Sequence, residues 1–231
     1  MNSQPTWLNV VLAAAFIFSN VGAVRLASAA ATRELAPLPI KLPLPTLQPT
    51  PSELPEGPMI EKISDKPRPA FMAPKGARNV ALGKKVTCSV EKLYSGTLPQ
   101  ITDGKKDAYD DQVVEFRKGT QWVQIDLEKE CPVYAIVLWH DHRLLQVFHD
   151  VVVQAADDPE FLTNVRTLFN NDVDNTSGLG IGTDKEYFET AEGKLVDIKG
   201  QKARYLRFYS KGSSRSAYNV YQELEVYAVP E

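Results

Sequence analysis

No block of basic residues occurs anywhere along the 231 residues: 26 Lys and Arg are interspersed with 29 Asp and Glu, for a net charge of −3. Nucleic-acid binding wants a concentrated positive surface, so no nucleic-acid partner is expected. The same dispersal argues against a strongly anionic membrane as sole target. Catalytic motifs are missing as well. A hydrolase needs a nucleophile, base and orienting acid, or paired carboxylates at fixed separation. The chain has no G-x-S-x-G elbow, no HExxH and no phosphate-cradling glycine loop. GLGIG at Gly178 to Gly182 lies between polar loop residues and opens no helix. An enzyme is not expected. Cysteine is scarce, with only Cys88 and Cys131.

What is present is unevenly distributed. Residues 1–30 hold no acidic residue and one basic residue, Arg25. Their apolar run, Leu8 to Phe18, is followed by Ala27-Ser28-Ala29, the small-x-small pattern of a secretory signal peptide. The run is shorter than the roughly 20 residues of a membrane span. With no Lys or Arg ahead of the run, an uncleaved anchor is the alternative. A secreted or extracytoplasmic location, in a periplasm or at a cell surface, is expected. Residues 31–75 follow as a proline-rich linker, because eleven of the 16 prolines fall between Pro37 and Pro74. Proline at this density removes backbone donors and favours hydrated polyproline II, which predicts a disordered tether. It reads either as a plain spacer or as a ligand for a proline-reading groove.

Residues 76–231 are long enough for one sandwich with its own core. Val123, Ile125 and Leu127 alternate with Gln124 and Asp126, a strand with one wet face. Pro132 to Trp139 is apolar on both faces and reads as a central strand. Val147 to Ala155 is a third run, closed by the Asp157-Asp158-Pro159 turn. Val80 to Val90 reads as a first strand pair or bent strand, with Gly83 as a bulge. Arg166 to Phe169, Glu186 to Thr190, Leu195 to Ile198, Ala203 to Ser210 and Tyr221 to Val229 are the remaining strand segments. Leu224, Val226 and Ala228 fall on one side of the last strand, and Glu223, Glu225 and Tyr227 on the other. Consecutive strands without a helix predict an antiparallel all-β domain of about eight strands. Such folds carry function on end loops.

Six phrases in this order carry a resemblance: NVALGKKVTCS at Asn79 to Ser89, ITDG at Ile101 to Gly104, QWVQIDLEKECPVYAIVLW at Gln121 to Trp139, DVVVQAADDPEF at Asp150 to Phe161, ARYLRFY at Ala203 to Tyr209 and QELEVYA at Gln222 to Ala228. Together they resemble a discoidin domain, also called coagulation factor V/VIII type C. That group belongs to the galactose-binding-like sandwiches and includes the family 32 carbohydrate-binding modules. The resemblance implies an all-β, eight-stranded antiparallel jelly-roll β-sandwich with ligand on loops at one end. Departures are visible: KKDAYDDQVVEF lacks the Trp often found after the Asp-Gly turn, the cysteines do not link the termini, and Asn170 to Asp184 is an elaborated loop.

The resemblance also implies one structural calcium ion between the Asp-Gly loop and the last strand. Asp103 and Glu223 occupy the matching positions, with Asp107 a third oxygen donor. The plainer alternative is an Asx turn at Asp103 and a solvated strand face at Glu223. Asn170 to Asn175 lacks the spacing of an EF-hand loop and reads as a turn cluster. An even cysteine count in an exported chain is compatible with a Cys88–Cys131 disulfide, which would close a loop of roughly 40 residues for about 3–4 kcal/mol. Two buried thiols are the alternative.

All three histidines, His140, His142 and His149, fall within ten residues. The His140-Asp141-His142-Arg143 corner leaves a strand for a loop, where ligand contact, a transition-metal site and ordinary loop roles are all open. Trp139, Tyr218 and Tyr221 are candidate stacking platforms for a sugar ring, with core packing the alternative for each, and Trp122 is more suited to packing. Tyr218 lies in KGSSRSAYN beside Arg215. His140, His142, Arg143, Arg215 and Tyr218 are therefore the expected ligand-binding residues. The function expected is non-catalytic binding of carbohydrate or surface glycan. The alternative is a structural or protein-interaction module of the cell envelope or an extracellular complex, with a cell-surface protein as partner.

Overall fold

Two long strands, β6 (Gln121–Trp139) and β9 (Lys194–Ser210), pair antiparallel along their whole length and form the spine of the fold. The computed structural model describes Met1, residues 33–45 and residues 54–230. The chain divides into two units, Met1–Thr32 and Arg33–Glu231, and the second carries all the strands described here. The expected signal segment lies outside the described residues, apart from Met1. Among the described residues no helix is long and apolar enough to cross a membrane.

The other strands are β1 (Leu35–Pro37), β2 (Met72–Pro74), β3 (Arg78–Asn79), β4 (Val86–Cys88), β5 (Val114–Lys118), β7 (Val152–Ala156), β8 (Arg166–Asn170), β10 (Tyr218–Tyr221) and β11 (Glu223–Ala228). The large sheet runs β3-β11-β6-β9-β7-β8, with β4 also on β6; β5 and β10 form a separate ribbon. Every strand pair is antiparallel. Phe116 and Tyr221 from the ribbon join Val123, Ile125, Leu206 and Phe208 from the spine in one continuous core. β4 to β11 thus form the jelly-roll β-sandwich expected from the sequence.

Several strand assignments differ from the sequence reading: Glu186 to Thr190 forms only isolated bridges, the third run becomes a strand only at Val152, β5 was not expected, and Tyr221 belongs to β10, apart from β11. The expected break between Leu127 and Pro132 is a bulge inside β6, not a turn between strands. Glu128 adopts φ 69° and its N–H donates to Asp126 Oδ1 at 2.7 Å. The same device recurs in β9, where Lys199 has φ 57° and its N–H donates to Asp197 Oδ1 at 3.0 Å. In each case an Asx contact satisfies the amide that the bulge removes from the ladder, so the strand bends without ending. Leu195–Ile198 and Ala203–Ser210 are therefore one strand. Gly83 (φ 70°) sits in the turn between β3 and β4 and is no bulge.

The described residues of 31–75 are not a disordered tether. β1 pairs with β2, Ile60 bridges Glu186, and the Arg68 guanidinium donates to the carbonyls of Gly193 (2.7 Å) and Glu192 (2.8 Å). Leu38, Ile40 and Phe71 pack on Ala135, Val137, Trp139 and Tyr227. This explains why Pro132 to Trp139 is apolar on both faces: Val133, Ile136 and Leu138 face the sandwich core, and the alternate residues face this strap. Apolar side chains at Leu38, Ile40 and Phe71 bring burial that proline density alone does not register.

The expected disulfide does not form. Cys88 is opposite Val123 on β6, whereas Cys131 lies beyond the Glu128 bulge, opposite Ala203. At a rise of ~3.3 Å per residue they stand roughly 25 Å apart along the strand, well past the ~7 Å limit for bridging. Cys88 Sγ donates to Val90 O at 3.2 Å, and Cys131 belongs to the core.

Candidate functional site

The His140–Arg143 corner is internal. β6 delivers its apolar run into the core, and the residues that follow are buried with it. His140 is 0% exposed, stacked on Phe148 at 4.4 Å and tilted against Tyr221 at 4.9 Å. Its Nδ1 bonds Glu189 at 2.8 Å. His142 is also 0% exposed, and its Nε2 bonds the Lys106 carbonyl at 2.8 Å. The two imidazoles serve different partners, so they neither meet a ligand from solvent nor converge on a metal. Arg143 is half-buried and forks onto Asp141 at 2.8 and 2.9 Å, with Asp110 as a further partner. Its hydrogen bonds to Asp141 raise the guanidinium pKa. Trp139 and Tyr221 are fully buried too, and the Tyr221 hydroxyl donates to Phe208 O at 3.1 Å. Burial pushes that phenol far above its ordinary range.

Asp103, Asp107 and Glu223 do not assemble a calcium cage. Glu223 is fully buried, and both its oxygens accept from the Gly104 N–H at 3.2 and 3.1 Å. Asp103 accepts from the Lys105 N–H at 2.8 Å in the Asx turn weighed from the sequence. Asp107 is exposed, and its carbonyl accepts from Gln222 Nε2. The cation present is Lys106. Its ammonium is buried against Glu225, 4.9 Å over the Trp139 ring, while Tyr227 donates its hydroxyl to the other Glu225 oxygen at 2.7 Å. Burial, then the charge of Glu225, pushes the Glu223 carboxyl up to about 9, with Lys106 opposing. A divalent ion here would have to share a desolvated space with that ammonium.

A different pair of loops presents exposed aromatic surface. Asn219, 0% exposed, accepts from Ser210 Oγ (2.8 Å) and the Gly212 N–H (2.7 Å), and donates to the carbonyls of Arg117 (2.9 Å) and Gly119 (2.8 Å). This staple sets Tyr218 beside the β5 end, with Lys118 Nζ 5.3 Å over its ring. From the other side, the Tyr94 N–H donates to Glu115 O at 2.9 Å, which lays the Tyr94 ring 5.1 Å from that of Tyr218, tilted by 52°. The turn holding Tyr94 needs Gly96: at φ 77° a Cβ would lie 2.7 Å from Val113 O. Arg215 is exposed at the tip of the neighbouring loop. Of the expected residues, Arg215 is thus exposed and Tyr218 half-buried, whereas His140 and His142 are fully buried. Tyr94 and Lys118 were not expected. The signal for Tyr94 is a lone aromatic between charged residues and a glycine, in EKLYSGT, where no core strand can absorb it. Trp122 is half-buried with the Arg207 guanidinium 4.3 Å over its ring, in keeping with a packing role.

No family model matches the chain, and no curated protein matches it. Solved structures do. Chitosan-binding module 1 of a chitosanase/glucanase from Paenibacillus sp. IK-5 is 18% identical with a TM-score of 0.46, over 65% of this chain and 98% of that one. A fucose-binding module of Streptococcus pneumoniae is 20% identical with a TM-score of 0.46, over 67% and 97%. The module CpGH89CBM32-4 of Clostridium perfringens, in complex with GlcNAc-α-1,4-galactose, is 17% identical with a TM-score of 0.46, over 68% and 97%. The fold itself stands on the strand order and pairing seen in this chain.

Proposed function

We propose that the chain is a non-catalytic binding module that takes carbohydrate on the Tyr94–Tyr218 face. The observation that carries this is the tilted tyrosine pair, Tyr94 exposed and Tyr218 half-buried, with the Lys118 ammonium over the Tyr218 ring. Rings of this kind accept the apolar face of a pyranose, while neighbouring charged donors meet its hydroxyls. Among the described residues, the His140–Glu189 pair is 0% exposed on both sides and cannot exchange a proton with a substrate in solvent. In this reading the Lys106 ammonium, and not a calcium ion, holds the Asp-Gly loop against β11. Export, with the module presented outside the cytoplasm, completes the proposal, and N-terminal sequencing of secreted material tests that part.

The binding test is a glycan array followed by titration calorimetry. Specific retention of one glycan class, weakened at least tenfold by Tyr94→Ala or Tyr218→Ala, is the expected result. Failure across a broad array, together with a cell-surface protein captured by cross-linking and released by the same substitutions, would overturn it in favour of a protein-interaction module.

A further inference from the structure

A second polar pocket lies away from the tyrosine pair, at the elaborated loop. It encloses about 320 Å³ and is lined by His149, Asp150, Asn171, Asp174, Glu186 and Lys211, among others. That volume falls in the small-molecule range of roughly 300–1,000 Å³. The strap closes one side, where Met59 O accepts from the Glu186 N–H at 2.9 Å.

Its chemistry is lopsided. Carboxylate oxygens of Asp150, Asp172 and Asp174 all lie within 4.8 Å of one another. Asp172 stands behind the other two, its own oxygens taken up by Ser177 and the Thr176 N–H. The cations in reach are mostly committed. His149 is paired with Glu186 at 2.7 Å, and Lys211 donates to Thr176 O at 2.9 Å while standing 3.7 Å from Asp150. Asp150 and Asp174 thus face the pocket with Asp172 behind them, and the Lys211 ammonium stands against Asp150. Burial and the charges of Asp172 and Asp174 raise the Asp150 carboxyl, with Thr176 and Lys211 opposing.

The second observation is independent of the acids. Asn171 is 2% exposed, and its Oδ1 accepts from the Val151 N–H at 2.6 Å, which fixes the orientation of the amide. Its Nδ2 has no partner. A buried donor left unmatched costs about 1–3 kcal/mol, so it points to an acceptor that arrives with a ligand. A bare metal ion does not answer it, because an N–H donor repels a cation. A ligand carrying both an ammonium and oxygen acceptors answers both features. Acceptors about 2.8 Å from one tetrahedral ammonium nitrogen stand roughly 4.6 Å apart, a spacing that fits within the carboxylate cluster.

We propose that the pocket between Asp150, Asn171 and Asp174 binds the free amino group of an amino sugar, with Asn171 donating to an adjacent ring or hydroxyl oxygen. The ammonium follows from this pocket alone. The choice of a sugar rests on the carbohydrate reading above.

Titration calorimetry on the full chain tests both, using a fully deacetylated glucosamine tetramer, its N-acetylated counterpart, and 1,4-diaminobutane as a sugar-free amine. The deacetylated tetramer is expected to bind at least tenfold more tightly than the acetylated one. Asp174→Asn, at an exposed position that keeps the Thr176 contact, is expected to abolish that preference, and Tyr218→Ala to leave it in place. Equal affinity for the two tetramers, or a preference that survives Asp174→Asn, would overturn the pocket while leaving the tyrosine face standing. Diaminobutane binding as tightly as the deacetylated tetramer, with the same dependence on Asp174, would overturn the sugar and keep the ammonium. Calcium raising the Tm of the wild type but not of Asp174→Asn would overturn the proposal in favour of a metal site.

Discussion

Two acidic residues on the last strand show how far a single side chain's environment can depart from its pattern. Glu223, Glu225 and Tyr227 alternate with core residues as a wet face would, yet all three are buried. The sequence shows the alternation but not what covers it, because Lys106 comes from the Asp-Gly loop and Trp139 from β6. Removing one member of a buried charged pair strands the other, at about 3–5 kcal/mol. Lys106→Met is expected to lower stability by that order in urea unfolding. EDTA and added calcium are expected to leave the wild-type Tm unchanged, and a calcium-dependent rise that persists in Asp174→Asn would show that the loop does take the ion. His149 titrates in the opposite sense to a paired carboxylate. Its hydrogen bond to Glu186 raises the imidazole above its ordinary 6.5. The folded state therefore holds the proton more tightly, and the stabilisation is complete below pH 6.5 and lost as pH rises through the raised pKa. His149→Asn is expected to flatten unfolding free energy between pH 6 and 8; an unchanged slope would assign it to another group.

Among the elements, the long core strands were legible, whereas the β5–β10 ribbon and strand continuity were not. Alternation at Val123 to Leu127 and at Leu224 to Ala228 located β6 and β11 with the correct inner faces. Polar residues around Glu128 and Lys199 read as turns, because Asx-stabilised bulges use the same residue types as turns do. The hairpin ahead of β9 has its own requirement. Gly193 has φ 64°, and a Cβ there would lie 2.5 Å from the Trp139 ring and 2.8 Å from Leu138 O. Trp139 Nε1 donates to Ala191 O at 3.0 Å, so the ring cannot move away without losing a partner. Gly193→Ala combines a left-handed backbone with overpacking and is expected to cost about 2–4 kcal/mol, read as a lower urea midpoint with m unchanged.

For the whole molecule, the resemblance located the sandwich from about Asn79 onward, but the boundary drawn at Gly76 divides a packed unit. Residues 33–75 contribute β1, β2, Phe71 and the Arg68 anchor, and they cover the outer face of β6 and β11. A chain beginning at Gly76 is expected to melt lower than one beginning at Arg33 and to bind a hydrophobic dye that the longer chain does not. Equal melting points would mean that the strap adds no stability. The candidate site was legible only in part for a related reason. Tyr218 and Arg215 were visible as loop residues, whereas Tyr94 joins them through a long-range contact with Glu115 that no local pattern records.

The strap also fixes an order of events during synthesis. Leu38, Ile40 and Phe71 leave the ribosome before any of β6, yet their seat includes Tyr227 at the far end of the chain. Their seat is therefore complete only after Tyr227 has emerged as well. Proline richness suits that interval, because each proline withholds a backbone donor that a wrong partner strand would otherwise recruit.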